Sequence, residues 1–223
     1  MKKTLFQLIL VALAVSSCAT ARYYGGFTPE AARQDMVLLG PVSNIYYLDR
    51  NNRESFDDSL STVSEALVAG LVHQLGVPVS GRIELDVDQK EEAAAYMRYL
   101  AAQNPKHRDL YAIPGLLDDA LEAQGCRYGL LLFTQGMTRD SKGLAKEVAR
   151  DVLLSVATAV LTMGSAVMIG SSMSYSFQAF AAVLDAETNQ IVFYNLTELK
   201  EKHPLRQDAV RDQLRSVLKD FLN

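Results

Sequence analysis

The sequence predicts an α/β sandwich, in which helices pack on a mixed β-sheet. Stretches rich in β-branched and aromatic residues alternate with stretches whose apolar residues recur every three or four positions, and these periods are typical of strands and helices. Near the C-terminus, two strand-like stretches around a polar turn precede an amphipathic helix. Without a removable leader, about 200 residues remain, enough for one domain with a sizeable core.

The first elements are predicted as a strand, a polar loop and a helix. Residues 35–48, DMVLLGPVSNIYYL, are rich in strand formers, and Gly40-Pro41 indicates a bend within the strand. The loop DRNNRESFDD follows, and its last residues with the next serine, 57–59, are candidates for a helix N-cap. The helix then places its apolar residues on one face: Leu60, Val63, Leu67, Leu71 and Leu75.

A second strand, two helices and a third strand come next. GRIELDVD, residues 81–88, alternates with period two, which predicts a half-buried strand. QKEEAAAYMRYLAAQ predicts a helix that ends at Asn104-Pro105, and IPGLLDDALEAQG predicts another with Gly125 as its C-cap. The apolar run RYGLLLFTQGM is short enough to be a strand buried at the centre of the sheet.

The C-terminal part is predicted as a β-hairpin followed by an amphipathic helix. SFQAFAAVLDAETNQIVFYNL predicts two strands joined by a polar turn at residues 186–189. In HPLRQDAVRDQLRSVLKDFLN, Pro204 stands near the first helical position. The apolar residues of this segment form one stripe that we expect to be buried: Val210, Leu214, Val217, Leu218, Phe221 and Leu222.

The N-terminus carries an export signal. Two lysines precede the apolar run 5–15, which is too short to span a bilayer stably, and small residues follow. The residues VSSC that end at Cys18 resemble the lipobox of bacterial lipoproteins. That resemblance implies that residues 1–17 are a cleaved lipoprotein signal peptide and that Cys18 is the lipid attachment site. Its diacylglycerol and amide-linked acyl chain would together anchor the protein stably in a membrane.

The residues after the cysteine refine the expected location. Ala19 and Thr20 are not acidic, whereas an Asp directly after the cysteine resembles the inner-membrane retention signal of some bacterial lipoproteins. We therefore expect a lipid anchor in the outer membrane of a Gram-negative bacterium, with the protein facing the periplasm. Residues 18–34 are predicted as the lipidated cysteine and a tether, loosest at Gly25-Gly26. Residues 35–223 are predicted as a single periplasmic domain.

Cysteine usage and charge narrow the set of partners. With Cys18 acylated, Cys126 has no partner for an intramolecular disulfide, and we interpret it as a small buried apolar residue. Removal of the signal peptide takes away two lysines and leaves 20 basic side chains against 26 acidic ones. A mildly acidic surface without a basic stripe argues against nucleic acid and anionic lipid as direct ligands.

Motifs for catalysis or metal binding are missing from the sequence. His73, His107 and His203 are scattered and expected to be solvated, and neither HExxH nor CxxC occurs. Asp118-Asp119 is expected on the exposed side of a helix, and the Gly-Ser pairs lack the flanking glycine of a nucleophile elbow. We expect no catalytic residue, no metal, no cofactor and no enzymatic activity.

An uncharged hydrophobic segment, residues 152–170, allows three interpretations. It is long enough for a transmembrane helix, it could form a pore-forming β-hairpin, or it could be a buried or partner-facing helix, with a short hairpin bent near Gly164 as one option. As a helix it presents one apolar stripe and a second stripe of Ser155, Thr158, Thr162 and Ser165.

Charge placement decides between these interpretations only in part. The basic residues Lys142, Lys146 and Arg150 would lie on the outer side of a membrane crossed here, which inverts the positive-inside tendency. The alternation that a barrel strand needs holds only in places. The pattern favours the buried or partner-facing helix and leaves the other two interpretations open.

The order of elements resembles a known family. A lipobox, the strand RYGLLLF, the hairpin AAVLDAETNQIVFYN and a terminal amphipathic helix resemble the periplasmic lipoproteins related to the curli-secretion lipoprotein and to the amino-terminal domain of the Tol-system β-propeller protein. Family members typically have Asp-x-x-(Thr/Asn)-Gly in the hairpin, whereas this chain has Asn189-Gln190 and lacks the glycine. The resemblance covers residues 35–223 in element order. It implies a role in envelope assembly or secretion without catalysis, with a ring-shaped oligomer as one option.

Two functions are therefore expected as alternatives. The first is a non-enzymatic, membrane-anchored periplasmic lipoprotein that acts in envelope assembly or secretion through contacts with other envelope proteins or with itself. The alternative is a membrane-inserting oligomer that forms or supports a secretion channel, with residues 152–177 as the inserted part. The first function predicts a soluble domain once Cys18 is removed. The second predicts a domain that still binds membranes or assembles into rings.

Overall fold

A mixed β-sheet forms the centre of the molecule. The computed structural model describes residues 22–33, 35–49, 53–102, 112–139, 159–162, 165–168 and 175–222. In these residues, the seven strands of the sheet are β1 (Arg22–Tyr23), β2 (Met36–Leu48), β3 (Glu54–Phe56), β4 (Gly81–Ile83), β5 (Tyr128–Thr138), β8 (Tyr175–Asp185) and β9 (Gln190–Leu196). Two further strands, β6 (Ala159–Thr162) and β7 (Ser165–Met168), pair separately.

The strand order places β5 at the centre of the sheet. The order is β1-β9-β8-β5-β2-β3, and β4 pairs with the part of β2 that β3 does not reach. β2 is parallel to both β5 and β4, whereas the other neighbours are antiparallel. Every residue of β5 is buried, because a strand lies on each side of it and helices cover both faces. The prediction of a buried central strand is confirmed.

Helices lie on both faces of the sheet and divide the core in two. They are α1 (Pro29–Ala32), α2 (Asp58–Gln74), α3 (Val87–Ala102), α4 (Gly115–Gln124) and α5 (Gln207–Val217). Leu130 and Leu132 of β5 belong to the core under α2 and α5, whereas Leu131 and Phe133 belong to the core under α3 and α4. Successive side chains of a strand point to opposite faces, so β5 supplies both cores. The α/β sandwich predicted from the sequence is confirmed.

Several predicted ends and bends are confirmed in detail. The Asp57 carboxylate accepts a hydrogen bond from the Leu60 N–H at 3.0 Å and so caps α2. Gly125 ends α4 with a φ of +63°, in the left-handed region that glycine adopts without steric cost. In β2, Gly40 has a φ of +75° where the register with β5 shifts between Leu39 and Val42. The C-terminal stripe packs as expected, with Leu222 only partly buried.

Two predicted boundaries differ from the structure. The strand predicted over 81–88 ends at Ile83, and α3 begins at Val87. The reason is a capping box, in which the Asp86 carboxylate accepts the Gln89 N–H at 2.8 Å and the Gln89 amide oxygen accepts the Asp86 N–H at 3.0 Å. At the C-terminus, α5 begins only at Gln207, so Pro204 precedes the helix instead of opening it. The predicted stop at Asn104-Pro105 lies outside the described residues.

The uncharged segment 152–170 contains two described strands, β6 and β7, which pair antiparallel from Ala159–Met168 to Thr162–Ser165. β8 begins after it, at Tyr175, and lies between β5 and β9. The favoured interpretation of 152–170 as a helix is therefore wrong over 159–162 and 165–168. β-Branched residues are common in these strands and Gly164 lies between them, a pattern that favours a hairpin over a helix. Within the described residues, no helix combines the length and apolar composition needed to cross a bilayer.

Candidate functional site: the N-terminal edge of the sheet

The chain joins the domain close to the predicted anchor. Cys18 lies outside the described residues, but at Arg22 the chain is already part of the sheet: Arg22 pairs with Tyr194 of β9, and Tyr23 pairs with Phe193. The Tyr24 N–H then donates to the Val192 carbonyl at 3.0 Å. The predicted domain boundary at residue 35 is therefore wrong, because residues 22–24 already pair with β9. This segment covers a strand edge of β9 that would otherwise be unpaired.

The two glycines that were predicted as the loose point of a tether form a defined turn. Gly25 and Gly26 have φ values of +60° and +73°. The Phe27 N–H donates to the Tyr24 carbonyl at 3.0 Å and closes a four-residue β-turn. A turn with two consecutive residues at positive φ requires residues such as glycine. The pair thus directs the chain back toward the core.

Aromatic side chains fasten this segment to the domain. Phe27 is 9% exposed, and its ring centroid lies 5.7 Å from that of Tyr128 and 6.5 Å from that of Phe221. The Tyr23 ring packs on Phe193 with 5.3 Å between centroids, although Tyr23 remains 41% exposed. Burial of one such aromatic side chain contributes about 1.5–3 kcal/mol. We call Arg22, Tyr23, Tyr24 and Phe27, with the β9 residues they contact, the N-terminal edge.

The electrostatics of the N-terminal edge are mixed in sign. The Arg22 guanidinium lies over the Tyr194 ring, 6.0 Å from its centroid. Burial raises the pKa of the Tyr194 phenol, whose buried hydroxyl has no hydrogen-bond partner in the described part of the chain. Burial, together with a hydrogen bond to Asp220, also raises the pKa of Tyr23. Both tyrosines are therefore neutral at physiological pH, so the charges described here are the Arg22 guanidinium over Tyr194 and the Asp220 and Glu30 carboxylates that act on Tyr23.

At the opposite edge of the sheet, α2 completes the hydrogen bonding of β2. Between its pairings with β4 and β3, β2 has no strand on its outer side. The Ser61 hydroxyl accepts the Ile45 N–H at 3.0 Å, the Glu65 carboxylate accepts the Ser43 N–H at 3.3 Å, and the Asp57 N–H donates to the Ile45 carbonyl at 2.9 Å. These contacts prevent the open stretch from pairing with another chain.

This role of α2 overturns the predicted orientation of the helix. The residues that it buries are Ser61, Ser64, Val68, Leu71 and Val72. Of the predicted apolar face, Leu71 is buried, the three other leucines are only partly buried, and Val63 is 53% exposed. The helix turns serines toward the sheet because an unpaired buried backbone N–H is costlier than an exposed valine.

Three buried hydroxyl groups lie between α2 and the sheet. The Ser43 hydroxyl donates to Ser64 at 3.0 Å, and the Ser43 and Thr134 oxygens are 2.7 Å apart. The neighbouring carboxylate of Glu65 is bound to the Lys90 ammonium at 2.7 Å and to the Ser43 N–H. The hydroxyls thus satisfy one another, and the carboxylate that could act as a base is already paired, which is the arrangement of a structural polar cluster.

An ion pair holds the β8–β9 hairpin against the start of β5. The Arg127 guanidinium donates two hydrogen bonds to the buried Asp185 carboxylate, at 3.0 and 3.1 Å, and also pairs with Glu187. The hydrogen bond to Asp185 raises the pKa of Arg127. The polar turn predicted at residues 186–189 is confirmed, and Asn189 supplies the positive φ, 50°, where the family pattern has glycine nearby.

The histidines, the pair Asp118-Asp119 and Cys126 differ in how far they are exposed to solvent. His73 is exposed as expected, whereas His203 is half-buried, with its ring 4.6 Å from that of Tyr175 and its Nδ1 accepting the Leu205 N–H at 3.1 Å. His107 lies outside the described residues. Asp119 is exposed as predicted, but Asp118 is half-buried. Cys126 is also half-buried, not fully buried, and its Sγ lies 3.6 Å from the Gln124 carbonyl oxygen.

The described residues contain no candidate metal site. Across the described residues, no three His, Cys, Asp or Glu side chains come together in a way that could hold a metal ion. Sequence reasoning missed the N-terminal edge because RYYGGF follows the predicted signal peptide and resembles a linker. The signal that could have revealed it is its aromatic content, since three aromatic residues in six are unusual for a solvated tether.

Comparisons with known proteins give weak likenesses. No protein-family model and no curated protein matches the chain. The PelC dodecamer from Paraburkholderia phytofirmans aligns with a TM-score of 0.38 at 12% identity, over 92% of this chain and 99% of the other. A single-residue variant of that dodecamer aligns with a TM-score of 0.41 at 12% identity, over 92% and 98% of the two chains. The LpoB C-terminal domain from Salmonella enterica aligns with a TM-score of 0.31 at 8% identity, over 80% and 87%. Scores below 0.5 at such identities establish neither a common family nor a common function.

Proposed function

We propose that this protein is a non-enzymatic lipoprotein of the bacterial envelope, anchored through Cys18 to the periplasmic side of the outer membrane. Its α/β domain would act in envelope assembly or secretion by binding other envelope proteins or further copies of itself. The observation that carries this proposal is the leader: a basic start, a short apolar run and a lipobox-like VSSC that ends at Cys18. Non-acidic residues 19 and 20 support the outer-membrane location.

The structure supports a binding role through the way in which its polar groups are used. The buried hydroxyls, the Glu65–Lys90 pair and the Arg127–Asp185 pair all connect elements of the fold. Each therefore has a structural task, and His203 likewise uses its Nδ1 to accept a backbone N–H. This use of the polar groups favours a domain that acts by binding through its surface.

The test is acylation of Cys18 in a Gram-negative host. The full-length protein would be produced with an alkyne-labelled fatty acid, and the membranes separated by density. We expect labelled protein in the outer-membrane fraction, and no label on the Cys18→Ser variant. The matched control is Cys126→Ser, which removes the other cysteine and should keep the label. Unlabelled wild-type protein, or label that persists without Cys18, would contradict the proposal.

A second candidate function is a membrane-inserting oligomer that forms or supports a secretion channel. The observation in its favour is the pairing of β6 and β7, since an uncharged segment that forms a hairpin could supply strands to a shared barrel. The test is a periplasmic form that starts at Ala19 and lacks the lipid cysteine. Retention in carbonate-washed membranes, or a ring-sized particle by light scattering, would favour the channel. A soluble monomer would exclude it.

A further inference from the structure

We propose that the N-terminal edge of the sheet lies directly on the lipid bilayer, so that the domain is held at the membrane surface in one orientation by a very short connection. This inference rests on the proposed acylation of Cys18. Its partner is the phospholipid headgroup layer of the membrane that receives the acyl chains. Two features of the chain support it: the short length between the anchor and the sheet, and the position at which the chain enters the sheet.

The connection is short. Only residues 19–21 separate Cys18 from Arg22 of β1. A fully extended chain advances at most about 3.6 Å per residue, so the Cα atoms of Cys18 and Arg22 are separated by no more than about 14 Å. The acyl chains of Cys18 enter the hydrocarbon layer, which places the cysteine at its boundary. Arg22 must therefore lie within about 14 Å of that boundary.

The entry point is an edge of the sheet and not a distant loop. Arg22 is opposite Tyr194, which is opposite Ala182 in β8, so β1 begins part of the way along the sheet. The segment cannot easily lengthen by peeling away, because Phe27 is buried and the Tyr24 N–H is bonded to Val192. The bilayer must therefore approach the β1 side of the domain itself.

The direction of the strands adds a second constraint. β1 begins toward the end of the sheet at which β9 ends, and at this end Thr138 closes β5 opposite Tyr175, which opens β8. The first residue of β1, the last residue of β5 and the first residue of β8 therefore all point toward the same end of the sheet. In contrast, β4 lies at the other edge, about 24 Å away for five strand spacings of about 4.8 Å.

Charge does not supply the attraction. Arg22 is close to the membrane in this orientation, but Tyr23 interacts with Asp220 and Glu30, and the mature chain has an excess of acidic side chains. An edge of this composition does not bind anionic lipid strongly by itself. The short covalent connection must hold the domain in place, and lengthening it must release the domain.

The experiment measures the distance of two surface positions from the bilayer in the full lipidated protein. In a Cys126→Ser background, Glu198→Cys and Glu84→Cys each introduce one fluorophore on an exposed glutamate, with the same change of charge. Glu198 follows β9 beside the N-terminal edge, whereas Glu84 follows β4 at the other edge. The proteins are reconstituted in phosphatidylcholine vesicles that contain a nitroxide headgroup lipid, and acylation of Cys18 is checked by mass spectrometry.

We expect several-fold stronger quenching at position 198 than at position 84. Insertion of about 20 Gly/Ser residues between Ala21 and Arg22 adds a mean reach of about 25 Å and should remove most of this difference. Equal quenching at both positions, or a difference that survives the insertion, would overturn the inference while Cys18 is acylated. Protein without acyl chains on Cys18 would overturn the proposed function and this inference with it.

Discussion

The Ser61 hydroxyl of α2 accepts a hydrogen bond from the Ile45 N–H of β2 at 3.0 Å and donates one to the Asp57 carbonyl at 2.8 Å. At Ile45, one helical side chain thus takes the place of a neighbouring strand in the open stretch of β2. The amide it satisfies belongs to a residue with 0% exposure. This contact explains why a serine and not a leucine faces the sheet at this position.

Ser61→Ala should destabilise the domain more than Val63→Ala. The alanine leaves the buried Ile45 N–H without an acceptor, which costs about 1–3 kcal/mol. Val63 is 53% exposed, and its truncation should change the free energy of unfolding by no more than about 0.5 kcal/mol. Urea unfolding followed by circular dichroism measures both. A larger loss for Val63→Ala would mean that the apolar stripe read from the sequence faces the core after all.

Gly136→Ala should destabilise the protein by about 1–3 kcal/mol through overpacking. A Cβ atom at this position would lie 2.7 Å from the Ser176 carbonyl oxygen and 2.7 Å from the Pro204 Cβ, and neither atom belongs to a flexible side chain. The control is Gly70→Ala in α2, where an added Cβ would have no neighbour within 4 Å apart from the adjacent backbone of its own helix. That change should stabilise the helix by about 0.5–1 kcal/mol. Thermal unfolding of both variants would reveal opposite signs, and equal shifts would contradict this packing.

Phe27→Ala should cost about 3 kcal/mol and loosen the N-terminal edge. The ring is 9% exposed and lies against Tyr128 and Phe221, so its removal leaves a cavity under the first turn. The matched variant is Phe56→Ala, because Phe56 is 52% exposed and should cost less than about 1 kcal/mol. Hydrogen exchange of the Tyr24 amide should accelerate only in Phe27→Ala. An unchanged free energy of unfolding would mean that this segment is the loose tether that the sequence predicted.

The protein should lose stability as the pH rises above about 10, the ordinary pKa of tyrosine. Burial raises the pKa of Tyr194 in the folded state, so its contribution is fully present below about pH 10 and is lost as the pH rises further. Tyr194→Phe should leave stability near neutral pH almost unchanged, because the buried hydroxyl has no partner among the described residues. It should reduce the loss of stability above about pH 10.

The control for this pH dependence is Tyr99→Phe, at a tyrosine that is 50% exposed. Urea midpoints measured across the same pH range should fall equally in this variant and in the unmodified protein. Tyr23 also has a raised pKa, so a smaller fall remains in Tyr194→Phe. A fall that is identical in Tyr194→Phe and Tyr99→Phe would show that the titration of Tyr194 does not contribute to alkaline unfolding.

Local sequence patterns correctly predicted those elements whose formation depends on residues within or next to the element itself. The strand 128–138 is apolar over most of its length and is buried at the centre, Gly125 ends α4 at a positive φ, and Asp57 caps α2. The predicted hairpin with its turn at residues 186–189 also forms. Each of these depends on burial period, backbone conformation or capping chemistry within a few residues, and these are properties that a sequence displays directly.

Tertiary structure decided the features that depend on partners distant in sequence. The face of α2 depends on an open stretch of β2 that only the strand order creates, and β1 forms because β9 would otherwise be an unpaired edge. Within the uncharged segment, residues 159–162 and 165–168 pair with each other as β6 and β7, although the segment also has helical spacing. The sequence by itself determined the fold class and the central strand, and its N-terminal leader predicts a lipid anchor in the outer membrane. Only the tertiary structure showed that the sheet begins four residues after Cys18, because the pairing of Arg22 and Tyr23 with β9 depends on residues distant in sequence. The segment that was predicted as a tether therefore forms an edge of the domain.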